Sequence, residues 1–193
     1  MLVKYQNAYP KVGGVFLNYH AAPSWPTVEI NGQVWMAENL SSDDGGEGIT
    51  SRNLPDVNGV NLGTQYYYTW PAAMRIADSI DGWHLPTSGE FIDLMNYAGG
   101  SGTTAAGMKL KSTSGWNNNK NGTDDYGFTW LPAGQNKNGF DTAGMRACLW
   151  SINGLYTWSK QNMWINVNST DKVSLGNQDT TAYLSVRLIK DSE

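Results

Sequence analysis

The chain has 193 residues and a net charge of -4, a length suited to one domain with a sizeable core and a balance without the basic stripe of a nucleic-acid binder. Its single cysteine, Cys148, excludes an internal disulfide and a thiolate metal site, and no apolar run reaches the length needed to span a membrane. Charged residues make up only 16%, while Gly numbers 22 and Trp 9; this is the composition of a loop-rich domain whose irregular segments are pinned by large rings.

Residues 1–27 have no clean period and read as an N-terminal extension or a first strand, part of the same unit as residues 28–193. Residues 1–14 lack the apolar middle of a signal peptide. In PTVEINGQVWMAENL two strand-forming runs flank Asn31-Gly32, a type I′ hairpin signal. Residues 41–63 read as a polar, Gly-rich loop. TQYYYTWPAAMRIADSI starts as an aromatic strand and continues as a helix of about three turns, with Pro71 in the tolerated first position.

In GWHLPTSGEFIDLMNYAGG, Thr87 and Glu90 have capping-box spacing. Phe91, Leu94, Met95 and Ala98 form an apolar helical face, and Gly99-Gly100 supplies the stop. A short helix is expected over 105–111. The runs FTWLPAG, RACLWS, MWINVN, KVSL and LSVRLIK are strand-length and mostly separated by Gly, Asn or Asp. Two early helices with short strands elsewhere indicate an α+β fold.

Catalytic signals are sparse. There is no G-x-S-x-G, Walker loop or H-E-x-x-H. Cys148, in a predicted strand, reads as a small buried hydrophobe, and His84 as a structural histidine before a helix. SSDDGGEG (41–48) and NGTDDYG (121–127) place carboxylates in Gly-rich loops. Calcium is the ion such hard oxygen donors suit; the simpler reading is that Asp and Gly make turns there.

LWSINGLYTWSKQNMWINVN (149–168) is too polar for a core strand and too rich in Trp for a solvated loop. Trp150 and Trp164 are expected as core rings on two strands, with Ile165 and Val167 alternating against Asn166 and Asn168. INGLYTWSKQN is expected as a loop at the sheet end. It exposes Leu155, Tyr156 and Trp158 in a polar setting, as a paratope does.

The ordered motifs GQVWMAENL, YYYTWPAA, GWHLPTSGEFIDLMNYAGG, GMKLKSTSGWNNNKNGTDDYGFTWLPAG, LWS and LSVRLIKD resemble the Fibrobacter major paralogous domain over roughly residues 28–191. Through its GWxLPT helix start that family is similar to formylglycine-generating-enzyme domains. The resemblance implies a C-type-lectin-like fold: two helices, a small twisted antiparallel sheet and long loops. The enzyme branch needs a cysteine pair, which Cys148 alone cannot make.

Such domains also serve as variable proteins of diversity-generating retroelements, which rewrite adenines near the 3′ end of a gene. LWS precedes and LSVRLIKD follows a variable-looking segment. The resemblance thus implies a non-enzymatic ligand-binding domain on a phage virion or bacterial cell surface, recognising a protein or glycan target. Within 152–179 the binding residues would be Asn153, Leu155, Tyr156, Thr157, Trp158, Lys160, Gln161, Asn166, Asn168, Asp171, Lys172, Ser174, Asn177 and Asp179. No cofactor is expected. The alternatives are a fixed surface adhesin or carbohydrate-binding module and, third, an enzyme with a metal or carboxylate site.

Overall fold

The computed structural model describes residues 25–54, 56–57, 59–135, 142–153, 159–166 and 171–192, with the backbone alone at 159–161, 165 and 166. β1 (Thr27–Ile30) and β2 (Gln33–Met36) pair antiparallel across Asn31-Gly32. Both turn residues are left-handed, φ 53° and 74°, as the type I′ turn requires. β3 (Ile49–Asn53) pairs residue for residue with β4 (Thr64–Tyr68). β3 falls inside the stretch expected as a loop. Its residues are half-buried or exposed, so no apolar alternation announced it.

α1 (Trp70–Asp78) starts at Trp70, which puts Pro71 second and not first in the helix, and buries Ala72, Ala73, Ile76 and Ala77. β5 (Trp83–His84) leads to α2 (Ser88–Ala98), where the capping box is complete. Thr87 Oγ1 accepts from the Glu90 backbone N–H at 3.1 Å, and Glu90 Oε2 accepts from that of Thr87 at 2.7 Å. Phe91, Leu94, Met95 and Ala98 are fully buried. α3 (Thr104–Leu110) follows after Gly99 and Gly100. A Cβ on Gly99 would lie 3.0 Å from that of Ala105, so glycine permits the close turn between the two helices.

β6 (Arg146–Trp150), β7 (Ser159–Asn166) and β8 (Ser174–Asp179) form an antiparallel sheet in that order. β9 (Ile189–Lys190) completes a four-stranded sheet ordered β1-β2-β9-β5. The fold is α+β with small antiparallel sheets. Two expected strands are reduced to single bridges. FTWLPAG contributes only Lys111↔Trp130 and Gly134↔Ala147, Pro132 having no N–H for a continuous ladder. LSVRLIK contributes Tyr68↔Leu184 and Leu149↔Ser185 before β9. Residues 184–189 are all buried, so that run threads between layers instead of edging one.

Two hydrophobic clusters form the core. Ala147 and Leu149 join α2, α3, Trp35 and Met163 in one; Cys148 and Trp150 join α1, Leu184, Val186 and Leu188 in the other. Successive side chains of β6 thus enter opposite clusters. Trp150 is fully buried, and its indole N–H donates to the Tyr68 carbonyl at 2.7 Å. Trp164 corrects the expectation of a second core ring: it is half-buried at the rim of the second cluster. Trp150→Ala should cost about 3–5 kcal/mol by chemical denaturation; a loss below about 1 kcal/mol would place the ring at the surface.

Candidate functional site

The C-terminal sheet carries the positions expected to bind. Its register pairs Trp150 with Asn162, Cys148 with Trp164, and Arg146 with Asn166; on the far side of β7, Ser159 faces Asp179, Gln161 faces Asn177, and Trp164 faces Ser174. Lys160 and Gln161 correct the loop expectation, since both lie in β7. The strand begins at Ser159 because β8 extends far enough to pair with it. Sequence patterning began the strand later, at Met163, because SKQN carries no apolar residue.

The register divides the candidates between the two ends of the sheet. Asn153, Lys160, Gln161, Asn177 and Asp179 belong to one end; Asn166, Asp171, Lys172 and Ser174 belong to the other. Ser159 to Asn166 spans seven residue steps, about 23 Å. Asn153, Lys172, Asn177 and Asp179 are exposed, and Ser174 is half-buried. Asp179 Oδ1 accepts from the Thr181 N–H at 2.9 Å and hydroxyl at 2.8 Å. Leu155, Tyr156, Thr157, Trp158 and Asn168 lie outside the described residues.

Asp171 has a job in the scaffold. Its Oδ1 accepts from Lys111 Nζ and its Oδ2 pairs with Lys120 Nζ, both at 2.9 Å. The Lys111 side chain is only 1% exposed; it also donates to the Lys120 carbonyl and stands over the Trp116 ring at 5.0 Å. Burial pushes the Lys111 ammonium below its ordinary range, with Asp171 opposing. Burial also acts to raise Asp171, but hydrogen bonds from both lysines hold it below the usual carboxylate value. The segment is docked by backbone too: Gly102 N–H donates to the Val173 carbonyl and Val173 N–H to that of Thr103. No sequence signal paired Asp171 with lysines at positions 111 and 120.

The remaining candidates for chemistry are engaged structurally. His84 joins Glu90 Oε1 through Nε2 at 2.9 Å and Asp191 Oδ1 through Nδ1 at 2.6 Å. The carboxylates sit on opposite ring nitrogens and cannot converge on one ion. Cys148 is buried, which pushes its thiol up to about 12 and keeps it protonated at neutral pH. In the 41–48 loop, Asp44 accepts both Arg75 Nε at 2.6 Å and Nη2 at 3.0 Å. That hydrogen bonding holds its carboxyl at about 2. Asp43 and Asp44 each accept from a glycine N–H two residues on, which is turn-making. Asp124 likewise accepts from the Thr129 N–H and hydroxyl. Among the described residues no group of three His, Cys, Asp or Glu side chains is placed to hold a metal ion. No described helix is long and apolar enough to cross a membrane.

Two stability predictions follow from these contacts. Asp171→Ala leaves the Lys111 ammonium buried without its carboxylate and should cost about 3 kcal/mol or more; a loss below about 1 kcal/mol would mean the ammonium reaches water. The hydrogen bond from Glu90 raises His84 above 6.5 against burial. Glu90 is raised by burial but lowered further by His84 and Thr87, and ends below 4.5. His84 therefore stabilises fully below pH 6.5 and loses that contribution as pH climbs through its folded value. Glu90 contributes above pH 4.5 and loses it as pH falls through its own. The melting-temperature advantage of the native chain over His84→Gln should peak between those limits and shrink toward pH 9; an advantage that is flat with pH would show that the charged pair contributes nothing.

Residues 28–190 match the Fibrobacter succinogenes major domain, and the chain belongs to that family. No curated protein and no solved structure matches the chain.

Proposed function

We propose that this family member is a non-enzymatic ligand-binding domain with a C-type-lectin-like fold, acting as the variable protein of a diversity-generating retroelement. The supporting observation is the contrast within the C-terminal third. Residues 147–151 and 184–189 are buried at every position. Between them, Asn153, Lys172, Asn177 and Asp179 stand exposed; Asn177 and Asp179 share the face of the core residue Met163 but lie beyond it, toward the end of β8. A rigid frame thus brackets a segment whose outward side chains can change without disturbing the packing.

In this proposal the end carrying Asn153, Lys160, Gln161, Asn177 and Asp179 is the main contact surface. Tyr156 and Trp158 supply apolar area; Asn153, Lys160, Gln161 and Asn177 supply hydrogen bonds. Asp171 stays out of the contact set because both its oxygens are taken by lysines. The target is a protein or glycan on a cell or virion surface, and the domain is displayed on a phage virion or bacterial surface.

Deep sequencing of the 3′ end of the gene in its source population tests this. Substitutions confined to adenines between the codons for Trp150 and Leu184 are expected; an invariant 3′ end would overturn the retroelement assignment and leave a fixed surface adhesin. In the purified protein, simultaneous substitution of Asn153, Lys160, Gln161 and Asn177 should leave the melting temperature unchanged, and a collapse would make these residues structural.

A further inference from the structure

The two arginines that flank the variable-looking segment are treated oppositely by the fold. Arg187 is fully buried, and each of its three side-chain nitrogens donates to an oxygen: Nε to Asn39 Oδ1 at 3.0 Å, Nη1 to the Phe128 carbonyl, Nη2 to the Thr129 carbonyl at 2.9 Å. Arg146 is half-buried. Its Nε is buried with no hydrogen-bond partner, and among the described residues its guanidinium has no carboxylate or carbonyl acceptor. Its guanidinium carbon stands 5.5 Å from the centre of the Trp164 ring. A buried donor left unmade costs stability, so the fold keeps Arg146 in this position at a loss.

Trp164 stands beside it on the same face. The row Cys148–Trp164–Ser174 crosses all three strands, and Arg146 begins the next row with Asn166. The indole reaches over β8, where position 176 is glycine. A Cβ there would come within 2.7 Å of Nε1 and 3.0 Å of Cδ1, so any larger residue would displace the ring. Among the described residues nothing accepts the Trp164 N–H. The face therefore presents a half-buried indole, the buried and unmet Nε–H of a cation, and the half-buried Ser174 beside them. Donors without acceptors ask for an anion that accepts, and a guanidinium fork matches a carboxylate. The plate asks for a flat C–H face next to that carboxylate.

We propose that Arg146, Trp164 and Ser174, with Gly176 as the floor, form a binding site for an acidic saccharide: a uronate residue whose ring stacks on the indole and whose carboxylate pairs with Arg146. A pyranose uronate carries both features on one rigid ring, whereas an acidic peptide side chain brings the carboxylate without the flat face. The site does not rest on the retroelement proposal, because it is argued from the contacts of Arg146 and Trp164 alone, although Trp164, Ser174 and Gly176 lie within residues 152–179. An invariant gene end with uronate binding would remove diversification and keep the site; a diversified gene end without uronate binding would do the reverse.

The test is titration with an oligogalacturonate, a neutral galactose oligosaccharide and a poly-glutamate peptide. The indole N–H resonance of Trp164, assigned by its loss in Trp164→Phe, is the reporter. The oligogalacturonate should shift that resonance, and the other two should not. Arg146→Gln should weaken binding by about tenfold to a hundredfold without lowering the melting temperature, since it removes an unmade donor. Added salt should weaken binding. No shift with oligogalacturonate overturns the site, and that readout needs no Arg146 variant to fold. Equal affinity in Arg146→Gln, or a response to the neutral sugar as strong as to the acidic one, overturns the carboxylate assignment. A response to poly-glutamate alone overturns the saccharide assignment.

Discussion

The structure depends on one constraint: β6 has to satisfy two cores at once. Its residues alternate between a cluster built on α2 and α3 and a cluster built on α1 and the 182–188 run. Neither cluster can be assembled without the strand, and a one-residue slip would move Trp150 and Cys148 into the space shaped for Leu149 and Ala147. The strand is also bridged on its outer edge to Gly134 and Ser185 while pairing with β7 on the inner one. Position, register and facing of the whole C-terminal sheet are inherited from this strand. β7 and β8 can therefore carry polar side chains, because their place is already decided by a neighbour that is almost entirely buried.

Two buried cations extend that control. Arg187 joins Asn39 and the Phe128–Thr129 turn, with its guanidinium 4.4 Å from the Phe128 ring centre. Burial draws it down to about 9 with no carboxylate in contact. Lys111 does comparable work for the other side of the sheet by holding Asp171. Such buried cations are poor sources of net stability, because desolvation offsets most of what their hydrogen bonds and charge pairing return. They are strict about geometry instead, since a cation shifted by one residue would lose all its acceptors. That strictness fixes a loop-rich chain whose apolar surface alone would allow several arrangements.

Local physics was legible in the sequence where it was self-contained. The Asn31-Gly32 turn, the Thr87–Glu90 capping box and the Phe91, Leu94, Met95, Ala98 face are short-range patterns, and the structure reproduces each. Strands stabilised by partners were less legible. β3 beyond Ile49 and the first half of β7 consist of polar residues that become strands because β4 and β8 supply their hydrogen bonds. The all-buried run 184–189 looked like a strand because burial, not pairing, set its composition. The candidate surface was legible as a segment but not as a shape. Fourteen nominated residues read as one patch along the chain, and antiparallel pairing separates those described into two ends of a sheet. The lysines that hold Asp171 are about 50 and 60 residues away in sequence, a distance at which no periodicity argument operates.

Strand placement also limits what any display surface here can be. Within residues 152–179, Asn162, Met163 and Val173 are buried, and Asp171 is committed to two lysines. Asn162 and Met163 are adjacent and face opposite clusters, so both faces of β7 are packed at that level, and the exposed Asn177 and Asp179 lie further along, toward the end of β8; along one strand only alternate residues share a face. Side chains free to change are therefore spaced two residues apart on any one face and cannot form a continuous patch from one strand alone. A contiguous contact area has to be assembled across strands, from pairs such as Gln161–Asn177 and Ser159–Asp179. Cross-strand neighbours lie about 5 Å apart, close enough for one ligand group to touch both. A surface built this way couples its positions in pairs: a large side chain on β7 restricts what its partner on β8 can present. Under the proposed binding role, recognition is set by combinations of facing residues, and a change at a single position is read in the context of the residue across from it.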